Sequence, residues 1–108
     1  LVPYRILGLL IVSQMTETQT IELIYFTGKT CGVCKVLKPK LLEAVQENFP
    51  EVNIRVVDVE EEVEFTGQSM VFTLPVVIIK VDDKEMARFA RSFSVYEVLN
   101  KLKRLEGE

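Results

Sequence analysis

The sequence predicts a single α/β domain in which a βαβ unit is followed by a β-hairpin and a C-terminal helix, so that helices flank a central mixed sheet. Three observations predict this arrangement. The chain has 108 residues, enough for one domain with its own core. Apolar segments rich in β-branched and aromatic residues alternate with segments whose apolar residues recur at helical spacing. Their order is strand, helix, strand, helix, strand, strand, helix.

The predicted βαβ unit occupies the first half of the domain. Residues 21–27 (IELIYFT) are typical of a buried strand, and residues 28–30 form a turn whose last residue, a threonine, is suited to cap a helix. The helix is predicted over residues 31–48. Pro39 lies inside it, where it removes a backbone hydrogen bond and should kink the axis. Residues 52–59 form the second strand, which a right-handed crossover makes parallel to the first.

The second half of the domain begins with an acidic run, residues 60–64, which is predicted to open a short helix because negative charge stabilises a helix N-terminus. Met70 to Phe72 are expected in the core or at the rim of a site. Residues 75–81 form the third strand. Residues 82–84 form a hairpin turn into a fourth strand over residues 85–90.

The last helix has a clear start signal. Ser94 and Glu97 have the spacing of a capping box, and Phe93 is placed to pack on Val98 as a hydrophobic staple. Its predicted buried stripe comprises Val95, Val98, Leu99, Leu102 and Leu105.

The N-terminal segment differs from the rest of the chain. Residues 6–12 form an unbroken apolar run, much shorter than the ~20 residues that span a bilayer. Three interpretations are open. In the first, Met15 is the natural start and the preceding residues are an upstream extension or an expression artefact. In the second, the run is an additional strand or helix packed on the domain, and in the third it directs export, although no small-x-small cleavage site follows. We therefore divide the chain into an N-terminal extension with a linker, 1–20, and a domain, 21–108.

Composition excludes several classes of function. The formal net charge is -3 and no basic stripe is present, so we expect no nucleic-acid partner. The chain has no histidine, which excludes a Cys-His nucleophile and imidazole-based acid-base catalysis. Its two cysteines supply half of the ligands of a structural zinc site. A metal would therefore need a second copy of the chain or help from carboxylates.

The two cysteines form a C-G-V-C motif at the predicted end of a strand and start of a helix. Cys31 and Cys34, three residues apart, share one face of a helical turn and can close a small disulfide ring. Helix-terminal N–H groups favour a thiolate and should lower the pKa of Cys31, and Lys29 and Lys35 add positive potential. Gly32 leaves the approach to Cys31 open. The alternatives are a fixed structural disulfide or two buried thiols that act as small hydrophobes.

These residues resemble the thioredoxin family over about residues 21–105. The segment Cys31-Gly32-Val33-Cys34-Lys35 matches the family's C-G-P-C-K, with Val33 replacing the central proline. Pro39 falls on the family's kink proline, and Leu74-Pro75 falls on its cis-proline, which faces the cysteines. The resemblance implies a thioredoxin-like fold.

Four further positions depart from the family pattern. Thr30 replaces the aromatic residue before the first cysteine, and Thr27 replaces a tryptophan. Tyr25 stands where the family has a buried acid that manages the second cysteine's proton, and Val56 stands where it has the lysine that pairs with that acid. We interpret Tyr25 as a packed core residue. Both charges of the pair are absent, so neither is left unpaired in the core.

The resemblance implies a thiol-disulfide oxidoreductase that needs no organic or metal cofactor beyond its own disulfide. Cys31 is then the nucleophile and Cys34 the resolving thiol, while Thr73, Leu74 and Pro75 bind the partner's extended chain. Its partners are protein thiols and disulfides together with a reductase or an oxidant. We expect a cytoplasmic monomer without a membrane anchor. The alternative is a binding or assembly module that keeps the fold with little turnover.

Overall fold

The computed structural model describes residues 20–29, 31, 32 and 34–106. Seven elements follow one another, and they confirm the predicted α/β class: β1 Ile21–Thr27, α1 Cys34–Asn48, β2 Asn53–Asp58, α2 Val63–Gln68, β3 Val76–Val81, β4 Lys84–Ala90 and α3 Val95–Glu106. The predictions for residues 1–19, Thr30 and Val33 concern positions outside the described residues. No helix in the described part of the chain has the length and apolar character needed to cross a bilayer.

The four strands form one mixed sheet in the order β2-β1-β3-β4. β1 pairs in parallel with β2, as the predicted crossover requires, and antiparallel with β3. Tyr25 in the middle of β1 therefore has Val56 on one side and Val77 on the other. β3 and β4 form the predicted hairpin. The strand that leads into the two cysteines is thus paired along both of its edges.

Side chains of β1 alternate between two apolar clusters because successive strand residues point to opposite faces of the sheet. Leu23 and Tyr25 pack with buried residues of α1 and α3. Ile24 and Phe26 face the other side, where the ring of Phe65 from α2 stacks on Phe26 with centroids 5.9 Å apart. All four β1 residues are buried, so the sheet is covered by helices on both faces around β1.

The turn between β3 and β4 is made by Asp82 and Asp83, whose φ angles are 52° and 69°. Val81 and Lys84 pair directly across it. Positive φ at both central residues is the pattern of a type I′ turn, whose twist matches that of the adjoining strands. Asp82 also accepts a hydrogen bond at Oδ1 from the backbone N–H of Thr20, 3.0 Å away, which ties the start of the described chain to the hairpin.

The predicted start of α3 agrees with the structure, whereas the predicted start of α2 does not. Ser94 Oγ accepts a hydrogen bond from the backbone N–H of Glu97 at 3.2 Å, as its capping position predicts, and α3 then buries Val98 and Leu102 completely. The predicted short helix begins later than expected, at Val63. The reason is a preceding turn in which the N–H groups of Glu61 and Glu62 both donate to the carbonyl of Asp58.

Arg88 on β4 fixes the end of α2 to the sheet. Its guanidinium donates to the carbonyl of Ser69 at 2.8 Å and to that of Met70 at 3.1 Å. The same group pairs with Glu85 at 2.8 Å, and this hydrogen bond lowers the pKa of the Glu85 carboxyl. The two carbonyls immediately precede the segment that ends at Pro75. Arg88 therefore anchors one end of that segment.

Candidate functional site

The turn between β1 and α1 places both cysteines at one end of the sheet. β1 ends at Thr27, and the backbone N–H of Cys31 donates to the carbonyl of Gly28 at 3.1 Å. The sequence predicted a helix from Cys31, but α1 begins at Cys34. The prediction was wrong by three residues, since Cys31 and Gly32 belong to the turn that precedes the helix. Cys31 consequently lies just outside the helix N-terminus.

Cys31 and Cys34 form a disulfide, with Sγ atoms 2.05 Å apart and Cα atoms 5.4 Å apart. Cys31 is 8% exposed and Cys34 is 4% exposed, and both belong to the core cluster between the sheet and the helices α1 and α3. A Cβ placed on Gly32 between them would have no other atom within 4 Å. The disulfide is therefore packed into the core on one side and approachable beside Gly32.

The segment that ends at Pro75 packs against the turn before the disulfide. A Cβ placed on Gly28 would lie 3.0 Å from Leu74 Cδ1 and 3.4 Å from Val59 Cγ2, so a larger residue at position 28 would have to displace one of them. Leu74 also packs on the core cluster that contains both cysteines. The Leu74–Pro75 peptide bond is cis, and the carbonyl of Pro75 accepts a hydrogen bond from Arg91 N–H at 2.9 Å.

A cavity of about 450 Å³ opens beside the disulfide on the α1 side. Pro39, inside α1 as predicted, contributes to its apolar wall. Three lysines line the same space. The full lining comprises Thr27, Gly28, Lys29, Cys31, Cys34, Lys35, Lys38, Pro39 and Leu42. Positive charge and a reactive disulfide therefore share one cavity.

A second cavity, of about 480 Å³, lies on the other side of Leu74. Its lining carries no charged side chain and comprises Val59, Thr66, Val71, Phe72, Thr73 and Leu74. Val71 is a core residue, whereas Phe72 is 84% exposed and Met70 is also exposed. The predicted partner-binding residues Thr73 and Leu74 both line this uncharged cavity, and Leu74 also packs on the cluster that contains the cysteines.

Tyr25 is fully buried beneath this end of the sheet. It belongs to the same core cluster as Cys34, and its hydroxyl has no hydrogen-bond partner. Loss of hydration raises the pKa of this phenol to about 12. Val56, the neighbour of Tyr25 on β2, is partly exposed. A neutral phenol therefore lies in the core beside the cysteines, and its neighbour at position 56 is no cation.

Sequence reasoning missed two features of this site. One is Lys38, which joins Lys29 and Lys35 in the cavity; its i, i+4 spacing from Cys34 was the available signal, since such residues share a helix face. The other is the close approach of Gly28 to Leu74, for which a single sequence carries no local signal. Among the described residues, no group of three or more Cys, Asp or Glu side chains is arranged to hold a metal ion.

Comparison with known proteins relates this geometry to one family. The family model described as Thioredoxin matches residues 12–104. The thioredoxin-like protein YdfQ of Bacillus subtilis is 29% identical over 105 residues, which cover 94% of this chain and 93% of that protein. Thioredoxin of Chlamydia trachomatis is 38% identical over 66 residues, covering 61% of this chain and 64% of that protein.

Solved structures agree with these matches. Thioredoxin 1 of Thermosipho africanus superimposes with a TM-score of 0.71 at 40% identity, covering 78% of this chain and 92% of that one. Thioredoxin-2 of the malaria parasite gives a TM-score of 0.73 at 19% identity, covering 82% of this chain and 86% of that one. The second likeness shows the fold alone. The fold predicted from the sequence is confirmed.

Proposed function

Because the chain belongs to the thioredoxin family, we propose that it exchanges disulfides with protein partners through Cys31 and Cys34. The observation that carries this proposal is the disulfide itself, held between β1 and the N-terminus of α1. The N-terminus of a helix has a positive electrostatic potential because its first N–H groups are unpaired, and this potential stabilises a cysteine thiolate. Reduction of this disulfide would therefore leave a thiolate where a partner can reach it.

In the reducing direction, the Cys31 thiolate attacks one sulfur of a partner disulfide and expels the other as a thiolate. A mixed disulfide then joins Cys31 to the partner. The Cys34 thiolate attacks Cys31 Sγ, re-forms the Cys31–Cys34 disulfide and expels the partner's second thiolate. Two electrons pass to the partner, and the protons from the two cysteines end on its thiols. The reverse sequence oxidises a partner dithiol.

The assignment of roles follows from position. Cys31 precedes the helix and lies next to the open space at Gly32, whereas Cys34 is the first helical residue and is the more buried of the two. Leu74 backbone groups beside Pro75 are suited to pair with an extended partner segment by strand addition. Thr73 adjoins them at the edge of the second cavity.

No organic or metal cofactor enters this scheme, because the disulfide carries the electrons. The reaction does need a second partner, a reductase or an oxidant, that resets the cysteine pair after each turnover. A cytoplasmic location is part of the proposal, since thiols are kept reduced there and a dithiol can act as a reductant. The protein is proposed to act as a monomer, as one chain supplies both cysteines.

The direct test is the reduction of insulin by dithiothreitol with and without this protein. The turbidity of the released B chain reports the rate of reduction. We expect the wild-type protein to accelerate precipitation and the Cys31→Ser variant to have no effect. Cys34→Ser should instead accumulate mixed disulfides, because the resolving thiol is missing. A Tyr96→Phe variant, altered at an exposed position on α3, serves as the matched control. Wild type that fails to accelerate reduction would favour a binding or assembly module over an oxidoreductase.

A further inference from the structure

Three lysines surround the cavity beside the disulfide. Lys29 lies in the turn after β1, and Lys35 and Lys38 lie in the first turns of α1. Lys29 and Lys35 are exposed, and Lys38 is half-buried. We call this space of about 450 Å³ the lysine cavity. Its position means that any group bound to Cys31 on this side lies close to three positive charges.

The charge of the lysine cavity is not neutralised from within. In the part of the chain that the structure describes, two ion pairs have a nitrogen–oxygen distance below 4.0 Å, and their cations are Arg55 and Arg88. No described carboxylate lies within that distance of the ammonium groups of the three lysines. Like charges lining a concave surface concentrate the field and attract ligands of opposite sign. Pro39 and Leu42 add apolar surface to the same space. The cavity is therefore suited to a carboxylate on an aliphatic stem.

The opposite side of the disulfide has a different character. There Leu74 and Val59 close against Gly28, and the second cavity beyond them carries no charged lining. The chain that follows Val59 bears the exposed acidic residues Glu60 and Glu61. The three lysines thus place positive charge in the cavity on the α1 side of the disulfide. Acidic partner segments are attracted to this side of the disulfide, and basic segments are repelled from it.

Building on the proposed function, we infer that the lysine cavity selects disulfide partners that carry acidic residues next to the reacting cystine. The lysines form and break no bonds. They raise the rate at which Cys31 meets an acidic segment and stabilise the mixed disulfide while Cys34 completes the exchange. The partner is a protein segment in which carboxylates flank the cysteine, and the lysines act as specificity-determining residues.

The test uses three dimeric peptide disulfides of equal length, in which the cysteine is flanked on both sides by glutamate, by glutamine or by lysine. The rate of oxidation of the reduced protein by each peptide is measured and divided by the rate at which dithiothreitol reduces the same peptide. This normalisation removes the effect of flanking charge on the leaving thiol. The ratio of the glutamate to the lysine peptide then reports selectivity, because any change in Cys31 reactivity cancels.

Two triple variants separate local from overall charge. Lys29→Gln/Lys35→Gln/Lys38→Gln removes the lysine cavity's charge. Lys84→Gln/Lys101→Gln/Lys103→Gln removes the same number of charges from residues that do not line it. We expect wild type and the second variant to prefer the glutamate peptide by about tenfold at low salt, the lower end of electrostatic rate enhancements. The first variant should lose this preference at low salt, and 1 M salt should abolish it in wild type and in the second variant.

The outcomes distinguish the inference from the function on which it rests. Exchange with the glutamine peptide but equal normalised rates for glutamate and lysine peptides would overturn the inference alone. The same holds if the first triple variant keeps the preference of wild type. If none of the peptides oxidises the reduced protein, both the proposed function and the inference fail.

Discussion

Gly28 and Leu74 are in such close contact that a Cβ on Gly28 would lie 3.0 Å from Leu74 Cδ1. The first residue belongs to the turn that leads to the disulfide, and the second belongs to the segment proposed to bind partners. The two segments can approach this closely because position 28 carries no side chain.

This contact predicts that Gly28→Ala lowers the free energy of unfolding by about 1 kcal/mol, the lower range for an overpacked core. Gly32→Ala is the matched control, because a Cβ there meets no atom within 4 Å. Urea unfolding of the oxidised proteins measures both. In a Leu74→Ala background the cost of Gly28→Ala should largely vanish, since the two side chains no longer collide. Additive costs in the double variant would show that the strain arises elsewhere.

The position of Cys31 predicts that it reacts before Cys34 in the reduced protein. A limiting amount of iodoacetamide should label Cys31 at least about tenfold more than Cys34, because the helix N-terminus favours its thiolate. Peptide mass spectrometry gives the labelled position. In support, Cys34→Ser should be alkylated as fast as wild type and Cys31→Ser much more slowly. Preferential labelling of Cys34 would reverse the proposed roles.

Burial of Tyr25 predicts a loss of stability at high pH. In the unfolded chain the phenol ionises near pH 10, whereas in the folded protein its pKa is about 12. Between these values the unfolded state holds fewer protons, so stability falls as pH rises, by about 3 kcal/mol in total. Tyr25→Phe should remove most of this loss, and Tyr96→Phe should leave it in place because Tyr96 is exposed. Unfolding curves of the oxidised proteins from pH 9 to 11 test the difference.

At neutral pH the same substitution has a second expected effect. The Tyr25 hydroxyl is buried without a hydrogen-bond partner, and such a group costs about 1–3 kcal/mol. Tyr25→Phe should therefore unfold at a higher urea concentration than wild type. A marked loss of stability would mean that the hydroxyl has a partner in solution, such as a buried water.

Exchange kinetics form a separate prediction for position 25. The phenol stays protonated near neutral pH, so it cannot accept the proton of Cys34 as that thiol attacks the mixed disulfide. Tyr25→Asp should accelerate decay of a Cys31 mixed disulfide at least about tenfold at pH 7, below the ~10²–10⁴ of a well-placed general base. It should also lower stability, because the buried acid has no lysine partner.

Stopped-flow measurements would compare Tyr25→Asp with Tyr25→Asn and Tyr25→Phe. Asparagine is polar but is no base, so its variant should not gain the acceleration. A severe slowing in Tyr25→Phe alone would show instead that the tyrosine hydroxyl takes part in the exchange, and that its interpretation as a packed core residue is wrong.

Local patterns were sufficient to predict much of this molecule. The β1 segment and the C-G-V-C motif are recognisable because alternation of buried faces and cysteine spacing are properties of neighbouring residues. The same holds for the Ser94 cap. The exact start of α1 was not predictable, since it depends on how far the turn in which the Cys31 N–H donates to the carbonyl of Gly28 extends along the chain.

Features that depend on contacts between distant segments were not predictable from the sequence. The sequence leaves Val71 and Phe72 alike in a core or at a rim, whereas the fold buries Val71 and leaves Phe72 exposed at the second cavity. The hydrogen bonds from Arg88 to the carbonyls of Ser69 and Met70 join β4 to the end of α2. These two segments are distant in sequence and meet only in the folded chain.

The pairing of β1 along both edges has a consequence for motion. An amide proton of Tyr25 or Phe26 can exchange with solvent only if one of two adjoining ladders opens, which in a small domain approaches complete unfolding. The residues of the following turn that the structure describes, Gly28, Lys29, Cys31 and Gly32, belong to no such ladder. Amide hydrogen exchange should therefore be very slow in β1 and become fast within a few residues, in the turn that follows. Reduction of the disulfide should speed exchange in the turn, while the amides of β1 keep their protection.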